Sequence, residues 1–111
     1  MPHLRCRGLT RETVVAISET LVEKLADLTK SPAAHFTVEY IPSEFIPTRF
    51  GGNAYPFIEV FWFPRPQDVQ DSAAKTITEV VKAQIGDIGE VAVVFQEFVK
   101  TAYYDDGKHY G

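Results

Sequence analysis

The residue with the clearest chemical potential is Pro2, which directly follows Met1. If Met1 is removed, the secondary amine of Pro2 becomes the N-terminus. A free N-terminal amine has a pKa of about 8, and an apolar pocket lowers that pKa because burial disfavours the cation. Such an amine suits a general base, which works best when its pKa lies near the working pH. The alternative is that Met-Pro reflects N-terminal processing alone; if Met1 is retained, the nitrogen of Pro2 is an amide and cannot act as a base.

Three further residues are candidates for substrate binding. Arg65, in the segment Phe-Pro-Arg-Pro, could hold a carboxylate through a bidentate guanidinium; the alternative is a solvated loop arginine. Lys30, at the end of a predicted helix, could polarise a carbonyl, although a solvated lysine at a helix end is the simpler interpretation. Phe50 could form a pocket wall, and a core aromatic residue would look the same in the sequence.

Other chemistries find no support in the residue pattern, so we predict no metal and no cofactor. Gly51 and Gly52 lack the following helix and lysine of a phosphate-binding loop. Cys6 alternates with charged residues, which is more typical of a core position than of a nucleophile. The histidines show no metal-ligand spacing; they are His3, His35 and His109.

Length and composition predict one globular domain spanning residues 1–111, since the chain has 111 residues, 45% of them hydrophobic and 23% charged. The net charge of −4 gives no overall basic field for nucleic acid or an anionic membrane. The apolar runs are too short to span a membrane, and the first residues do not resemble a signal peptide. We therefore expect a cytoplasmic protein with neither a nucleic-acid nor a membrane partner.

Hydrophobic periodicity predicts two helices and four strands. Apolar residues recur at spacings of three and four over residues 10–30 and about 67–84, which is typical of amphipathic helices. Thr10 is the expected N-cap of the first helix, and Pro66 the expected start of the second. Alternating apolar residues predict strands at 3–7, 36–41, 57–62 and 91–96.

The order of these elements is β-α-β followed by β-α-β, with pseudo-repeats at about 2–54 and 55–111. Residues 2–6 align with 56–60 at an offset of 54, and residues 35–38 align with 90–93 at an offset of 55. Right-handed crossovers would place both helices on one face of a shared sheet. The predicted fold is therefore α/β (α+β): a duplicated β-α-β unit with a four-stranded mixed sheet and two helices on one face.

The opposite sheet face would be left bare, and its composition suggests that something covers it. Alternation places both apolar side chains and charges on it, and if the first strands of the two halves are neighbours, Arg5 and Glu59 could pair. We favour a structural role for these charges, at a subunit interface or central channel. Segments 43–53 and 100–111 are expected to form hairpins or arms that reach a neighbouring subunit.

Several motifs, taken in order, resemble the tautomerase superfamily that includes macrophage migration inhibitory factor. They are Pro2 before a strand and helix, the proline-containing turn 30–32, the strand and proline at 38–42, Phe50-Gly51-Gly52, and Tyr55-Pro56. The resemblance covers essentially the whole chain. It implies a homotrimer in which Pro2, exposed by removal of Met1, is the general base.

The sequence also departs from that family. Ser31 stands where the related branch has a lysine, and Lys30 is one residue earlier. Ala92 and Val94 stand where that branch contributes a tyrosine and an asparagine to a neighbouring pocket, and Thr37 stands where dicarboxylate-binding members have an arginine. The substrate of those relatives therefore does not carry over.

Two functions from different classes follow from these observations. The first is a cofactor-free tautomerase or isomerase acting on a small keto–enol compound or 2-oxo acid, with Pro2 as base and Arg65, Lys30 and Phe50 in the binding site. The second is a non-catalytic trimeric binding or scaffold protein with the same fold. Neither the substrate nor its pathway can be read from the sequence.

Overall fold

The computed structural model describes residues 1–87 and 89–111. Its main elements are strand β1 (His3–Arg7), helix α1 (Arg11–Thr29), strands β2 (Thr37–Tyr40) and β3 (Phe57–Trp62), helix α2 (Gln67–Ile85) and strand β4 (Ala92–Glu97). A small hairpin, β5 (Tyr104–Asp105) and β6 (Lys108–His109), follows. Short 3₁₀ turns occupy Ala33–His35 and Lys100–Ala102. The predicted helices and main strands are all present, with ends that coincide or are displaced by one residue.

Helix α1 begins and ends with defined caps. The hydroxyl of Thr10 accepts a hydrogen bond from the backbone N–H of Thr13 at 3.1 Å, which satisfies one of the free donors of the first turn. At the other end Lys30 adopts a left-handed conformation, with φ 54° and ψ 42°, and the N–H of Ser31 bonds the carbonyl of Ala26 at 3.0 Å. This termination fixes the direction in which the turn at Ser31 leaves the helix.

Helix α2 begins immediately after Pro66, whose carbonyl accepts a hydrogen bond from the N–H of Gln70 at 3.1 Å. Proline is well placed here because its fixed φ matches the helix and its missing N–H would have had no helical partner. The helix ends at Gly86, with φ 90°. The start of α2 therefore determines where the preceding loop, which carries Arg65, must lie.

The four main strands form one mixed sheet in the order β2-β1-β3-β4. Strands β1 and β2 are parallel, β1 and β3 antiparallel, and β3 and β4 parallel. This confirms the predicted duplication, with the first strand of each half at the centre. Both helices cover one face, and their apolar stripes pack on the sheet residues that point toward them. The largest fully buried side chains of this core are Trp62, Leu4, Leu21, Leu25, Ile58 and Ile77.

The other face of the sheet carries two ion pairs. Nη2 of Arg7 lies 2.9 Å from Oε1 of Glu59, and Nε of Arg5 lies 3.4 Å from Oε1 of Glu39. The sequence suggested that Arg5 and Glu59 could pair; they are direct partners in the strand register, but their side chains form ion pairs with other residues. Arg5 stands between two carboxylates and turns to the one on β2, while Arg7 reaches Glu59 diagonally. Each carboxylate thus has its own arginine.

The segments that follow each half also form turns, as predicted. Thr48 and Gly51 pair through two backbone hydrogen bonds of 2.7 and 3.1 Å. Strands β5 and β6 are joined by Asp106 and Gly107, which both have positive φ, at 50° and 81°. Two positive values in a two-residue hairpin loop match a type I′ turn. No helix within residues 1–87 or 89–111 is long and apolar enough to cross a membrane.

Position 8, just after β1, requires a glycine because its backbone lies close to Tyr55, at the start of the second half. Its φ is +76°, and a Cβ built on it would lie 1.8 Å from the carbonyl oxygen of Tyr55. We expect Gly8→Ala to lower the free energy of unfolding by clearly more than the roughly 1–2 kcal/mol of a left-handed alanine, because the backbone must also move. Urea denaturation measures this.

The matched control is Gly107→Ala. Gly107 has φ +81° but nothing within 4 Å of a Cβ built there, so this substitution introduces backbone strain without a clash. Equal losses of stability for the two variants would show that the close approach of Gly8 to Tyr55 does not matter.

Cys6 is fully buried in the core, with 0% exposure, and burial raises the pKa of its thiol to about 11. Because the thiolate is the reactive form, we expect Cys6 of the native protein to react with an aromatic disulfide at pH 8 far more slowly than Cys6 of the protein unfolded in urea. Similar rates in the two states would contradict its placement in the core.

Candidate active site

Pro2 is held at the buried start of the central strand β1. Its side chain is buried, whereas Met1 is 38% exposed. The carbonyl of Pro2 accepts a hydrogen bond from the N–H of Thr37 at 3.1 Å, which extends the β1–β2 pairing by one residue. The antiparallel register with β3 places Pro2 opposite Trp62. The nitrogen of Pro2 therefore occupies a fixed position at the boundary between the core and the surface.

The environment at this end of β1 disfavours a positive charge. The pKa of the Met1 amine lies below its usual value, first because the amine is partly buried and second because of the nearby charge of Arg65. The carboxylate of Asp105 acts in the opposite direction and raises that pKa. The pKa of this amine thus responds to charges on two other parts of the chain, the loop before α2 and the C-terminal hairpin.

Arg65 is anchored beside the turn that follows α1. Its Nη2 donates a hydrogen bond to the hydroxyl of Ser31 at 3.4 Å, and its Cζ lies 5.3 Å from the centre of the Trp62 ring. Its Nε is buried without a hydrogen-bond partner among the described residues. The structure therefore brings together the predicted binding residue Arg65, the proline-containing turn and the N-terminus, and leaves one guanidinium donor free.

Lys30 and Phe50 lie apart from this cluster in the single chain. Lys30 is exposed. Phe50 is 84% exposed at the tip of the turn between Thr48 and Gly51, with Cζ of Arg49 4.6 Å from its ring centre. Across residues 1–87 and 89–111, no hydrogen bond, ion pair or ring contact joins either side chain to Pro2 or Arg65.

A polar cluster on the open sheet face lies next to Pro2 and was not predicted as a unit. Nδ1 of His3 lies 2.5 Å from Oγ1 of Thr37, and Nε2 of His3 lies 2.8 Å from Oε1 of Glu39. The hydrogen bond from His3 is the main cause of the lowered pKa of Glu39, with Arg5 contributing. These residues border a hollow of about 380 Å³ whose remaining walls include Met1 and the rings of Phe61, Phe98 and Tyr103.

Aromatic residues of the C-terminal segment close the same end of the sheet. Phe98 stacks on Phe61 with centroids 6.1 Å apart, and Tyr103 lies 4.8 Å from Phe98. Phe63 contacts Tyr103 and stacks on Tyr110, at 5.4 and 5.5 Å. The one sequence signal for this cluster was the high aromatic content of the chain, because its members lie far apart in sequence.

Comparison with known proteins places the chain among proteins whose function is not established. The profile of the family described as a domain of unknown function (DUF1904) matches residues 1–109. A protein of unknown function from Vibrio cholerae is 37% identical over 97% of this chain and 86% of that one, with a TM-score of 0.89. A DUF1904 domain from Sebaldella termitidis is 33% identical over 98% of this chain and 99% of that one, with a TM-score of 0.87. A comparison with functionally curated proteins gives no match.

More distant solved structures share the fold. A fused 4-OT asymmetric trimer is 14% identical over 96% of this chain and 94% of that one, with a TM-score of 0.81. A macrophage migration inhibitory factor-like protein from Entamoeba histolytica is 13% identical over 97% of both chains, with a TM-score of 0.73. These likenesses show that the chain has the tautomerase and macrophage migration inhibitory factor fold, as the sequence motifs predicted.

Proposed function

The chain belongs to the DUF1904 family, and we propose that it is a cofactor-free tautomerase or isomerase whose general base is the amine of Pro2. The observation that carries this proposal is the position of the N-terminus, where burial and the charge of Arg65 lower the pKa of the terminal amine. A lowered pKa leaves more of the amine neutral at pH 7, and the neutral amine is the form that accepts a proton.

We place the protein in the cytoplasm, whose reducing conditions suit the unpaired thiol of Cys6.

Removal of Met1 would strengthen this effect. The new terminal nitrogen would belong to Pro2, whose side chain is buried, instead of Met1, which is 38% exposed. Because desolvation is the largest cause of the lowered pKa of the Met1 amine, a more buried amine should titrate lower still. The backbone hydrogen bond from Thr37 would hold that amine in place.

The proposed substrate is a small keto–enol compound or 2-oxo acid. Arg65 supports this choice, because its Nε is a buried donor without a partner, and a carboxylate can accept from Nε and a terminal nitrogen together. Lys30 and Phe50 remain candidate binding residues. The exposed ring of Phe50 fits a role in the pocket of a neighbouring subunit, and Lys30 could polarise a substrate carbonyl.

The second candidate is a trimeric binding or scaffold protein without chemistry. It is favoured by Ala92 and Val94 of β4, which offer no polar group to a neighbouring pocket. It also follows directly if Met1 is retained, since Pro2 then has no basic nitrogen. Both candidate functions assume a trimer, but only the first requires Pro2 as a general base.

The proposed assembly is a homotrimer that buries the open sheet face. We expect light scattering at micromolar concentration to give the mass of three chains. Val94→Asp, on that face, should produce monomers because a buried charge without a partner opposes association. The control is Val15→Asp on α1, where Val15 is 56% exposed; it should remain trimeric. A monomeric wild-type protein would contradict the proposed assembly.

The activity test uses untagged protein whose N-terminus is first shown to be Pro2 by intact mass. It should accelerate ketonisation of simple enols such as phenylenolpyruvate. Pro2→Ala keeps a terminal amine but loses the rigid ring, and should lower the rate substantially, given that positioned acid–base groups contribute about 10²–10⁴-fold. Arg65→Ala should weaken carboxylate-bearing substrates more than neutral ones, because those alone lose the charge-assisted contact.

A panel of enols and 2-oxo acids, both neutral and carboxylate-bearing, decides between the two candidates. Equal rates for wild-type and Pro2→Ala protein across the panel would favour the scaffold. Retention of Met1 in the native protein would exclude Pro2 as the base.

A further inference from the structure

We propose that Trp62 is a further residue of the binding site: its indole N–H donates a hydrogen bond to the ligand oxygen that lies next to the carboxylate held by Arg65. The inference rests on the proposed function, because it takes the carboxylate contact of Arg65 from there. It goes beyond that function by assigning a donor to the second oxygen of a 2-oxo acid. Lys30, the other candidate for this role, lies apart from Pro2 and Arg65 in the single chain.

The indole N–H of Trp62 is a buried donor without an acceptor. Trp62 is 1% exposed, and among the residues that the structure describes its Nε1 has no hydrogen-bond partner. A buried tryptophan N–H usually finds a partner, because leaving it without one costs free energy. The indole therefore requires an explanation beyond its packing in the core.

A second donor in the same condition adjoins the indole. Nε of Arg65 is also buried and lacks a hydrogen-bond partner within residues 1–87 and 89–111. Cζ of Arg65 lies 5.3 Å from the centre of the Trp62 ring, so the two side chains are in contact. Two unpaired donors on adjoining side chains fit a ligand that supplies two acceptor oxygens, as a 2-oxo acid does.

The strand register places Trp62 beside Pro2 as well. His3 pairs with Phe61 in the antiparallel register of β1 and β3, so the preceding Pro2 lies opposite Trp62. Both side chains are buried on the face that the helices cover. Opposite residues on one face of an antiparallel pair have Cβ atoms about 4.5–5.5 Å apart. Trp62 therefore adjoins both the proposed base and the proposed carboxylate anchor.

The indole ring is held in place before any ligand binds. The ring of Phe95, on β4, stacks on it with centroids 4.9 Å apart and an angle of 29° between planes. The guanidinium of Arg65 lies over the Trp62 ring and donates to the hydroxyl of Ser31 at 3.4 Å. A donor fixed in this way needs no reorganisation when charge develops on the oxygen that it contacts.

In the proposed reaction, that oxygen is the one that becomes an enolate. A C–H bond next to the carbonyl breaks, and its proton forms an N–H bond on Pro2. The electron pair of the C–H bond forms a C=C bond, and the π pair of the carbonyl moves onto the oxygen. Trp62 keeps its proton and stabilises this oxygen through the hydrogen bond. Delivery of the proton from Pro2 to the oxygen then gives the enol.

The test follows the indole N–H by ¹H–¹⁵N NMR on protein whose N-terminus is first shown by mass to be Pro2. The chain contains one tryptophan, so the indole of Trp62 gives one resonance. Oxalate has a charged oxygen next to a carboxylate, as the enolate of a 2-oxo acid does, whereas propionate has the carboxylate alone. Oxalate should shift the indole proton downfield to saturation, and propionate should bind without that shift.

Two variants separate the two donors, with dissociation constants measured by calorimetry. Trp62→Phe keeps an aromatic ring but removes the N–H. It should raise the dissociation constant of oxalate about tenfold or more, as expected for a hydrogen bond to a charged group, and leave that of propionate nearly unchanged. Arg65→Gln should weaken both ligands. Equal weakening of oxalate and propionate by Trp62→Phe would overturn the proposal, and so would an indole resonance that does not respond to oxalate.

A second replacement decides the matter if Trp62→Phe does not fold, as judged by circular dichroism. In 3-benzothienylalanine a sulfur atom takes the place of the indole N–H in a ring of similar shape. Unchanged affinity for oxalate with this residue at position 62 would overturn the proposal.

The outcomes also separate this inference from the proposed function, because the binding test needs no turnover. An inactive protein whose indole responds to oxalate would defeat the proposed function alone and leave Trp62 as a binding residue. An active protein whose Trp62→Phe variant binds oxalate as tightly as the wild type would defeat this inference alone.

Discussion

The antiparallel pairing of β1 with β3 is the constraint on which the rest of the structure depends. It joins the two β-α-β halves at the centre of the sheet and directs Leu4 and Val60 to the same face, where the helices cover them. It also sets the start of β1 beside the end of β3. Pro2 consequently lies opposite Trp62, and the loop that leaves β3 carries Arg65 to the same place. The register between β1 and β3 therefore positions both the core and the candidate site.

Much of this arrangement could be predicted from the sequence, because the signals were local and periodic. The caps of α1, the helical stripes and the strand alternation each depend on residues close together in the chain. The duplication predicted the mixed sheet, whereas the central position of the first strands was only a condition and is established by the structure. Individual side-chain partners could not be predicted in the same way. Arg5 has Glu39 on one neighbouring strand and Glu59 on the other, and only the positions of the long side chains decide between them.

Sequence reasoning proposed four residues for the candidate site; the structure brings Arg65 close to the N-terminal end of the sheet but leaves Lys30 and Phe50 apart from it. Pro2 and Arg65 were recognised by their chemistry, but their nearness depends on how the loop after Trp62 turns. Asp105 gave no usable signal, since an aspartate in a polar turn is ordinary in a C-terminal segment. The place of the C-terminal hairpin depends on Tyr110 and Phe63, which are separated by many residues and brought together by the ring stack. Tertiary contacts of this kind leave no periodic pattern in a single sequence.

The same segments would link the proposed chemistry to the proposed assembly. The open sheet face begins at His3, the residue after Pro2, and its polar cluster with Thr37 and Glu39 adjoins the N-terminus. A neighbouring subunit that covers this face would remove water from the edge of the site. Removing water strengthens each electrostatic contact there, because the interaction between charges grows as the local dielectric falls. The effect of Arg65, which lowers the pKa of the terminal amine, would then increase, so association would make the protonation of that amine depend more on this side chain and less on solvent.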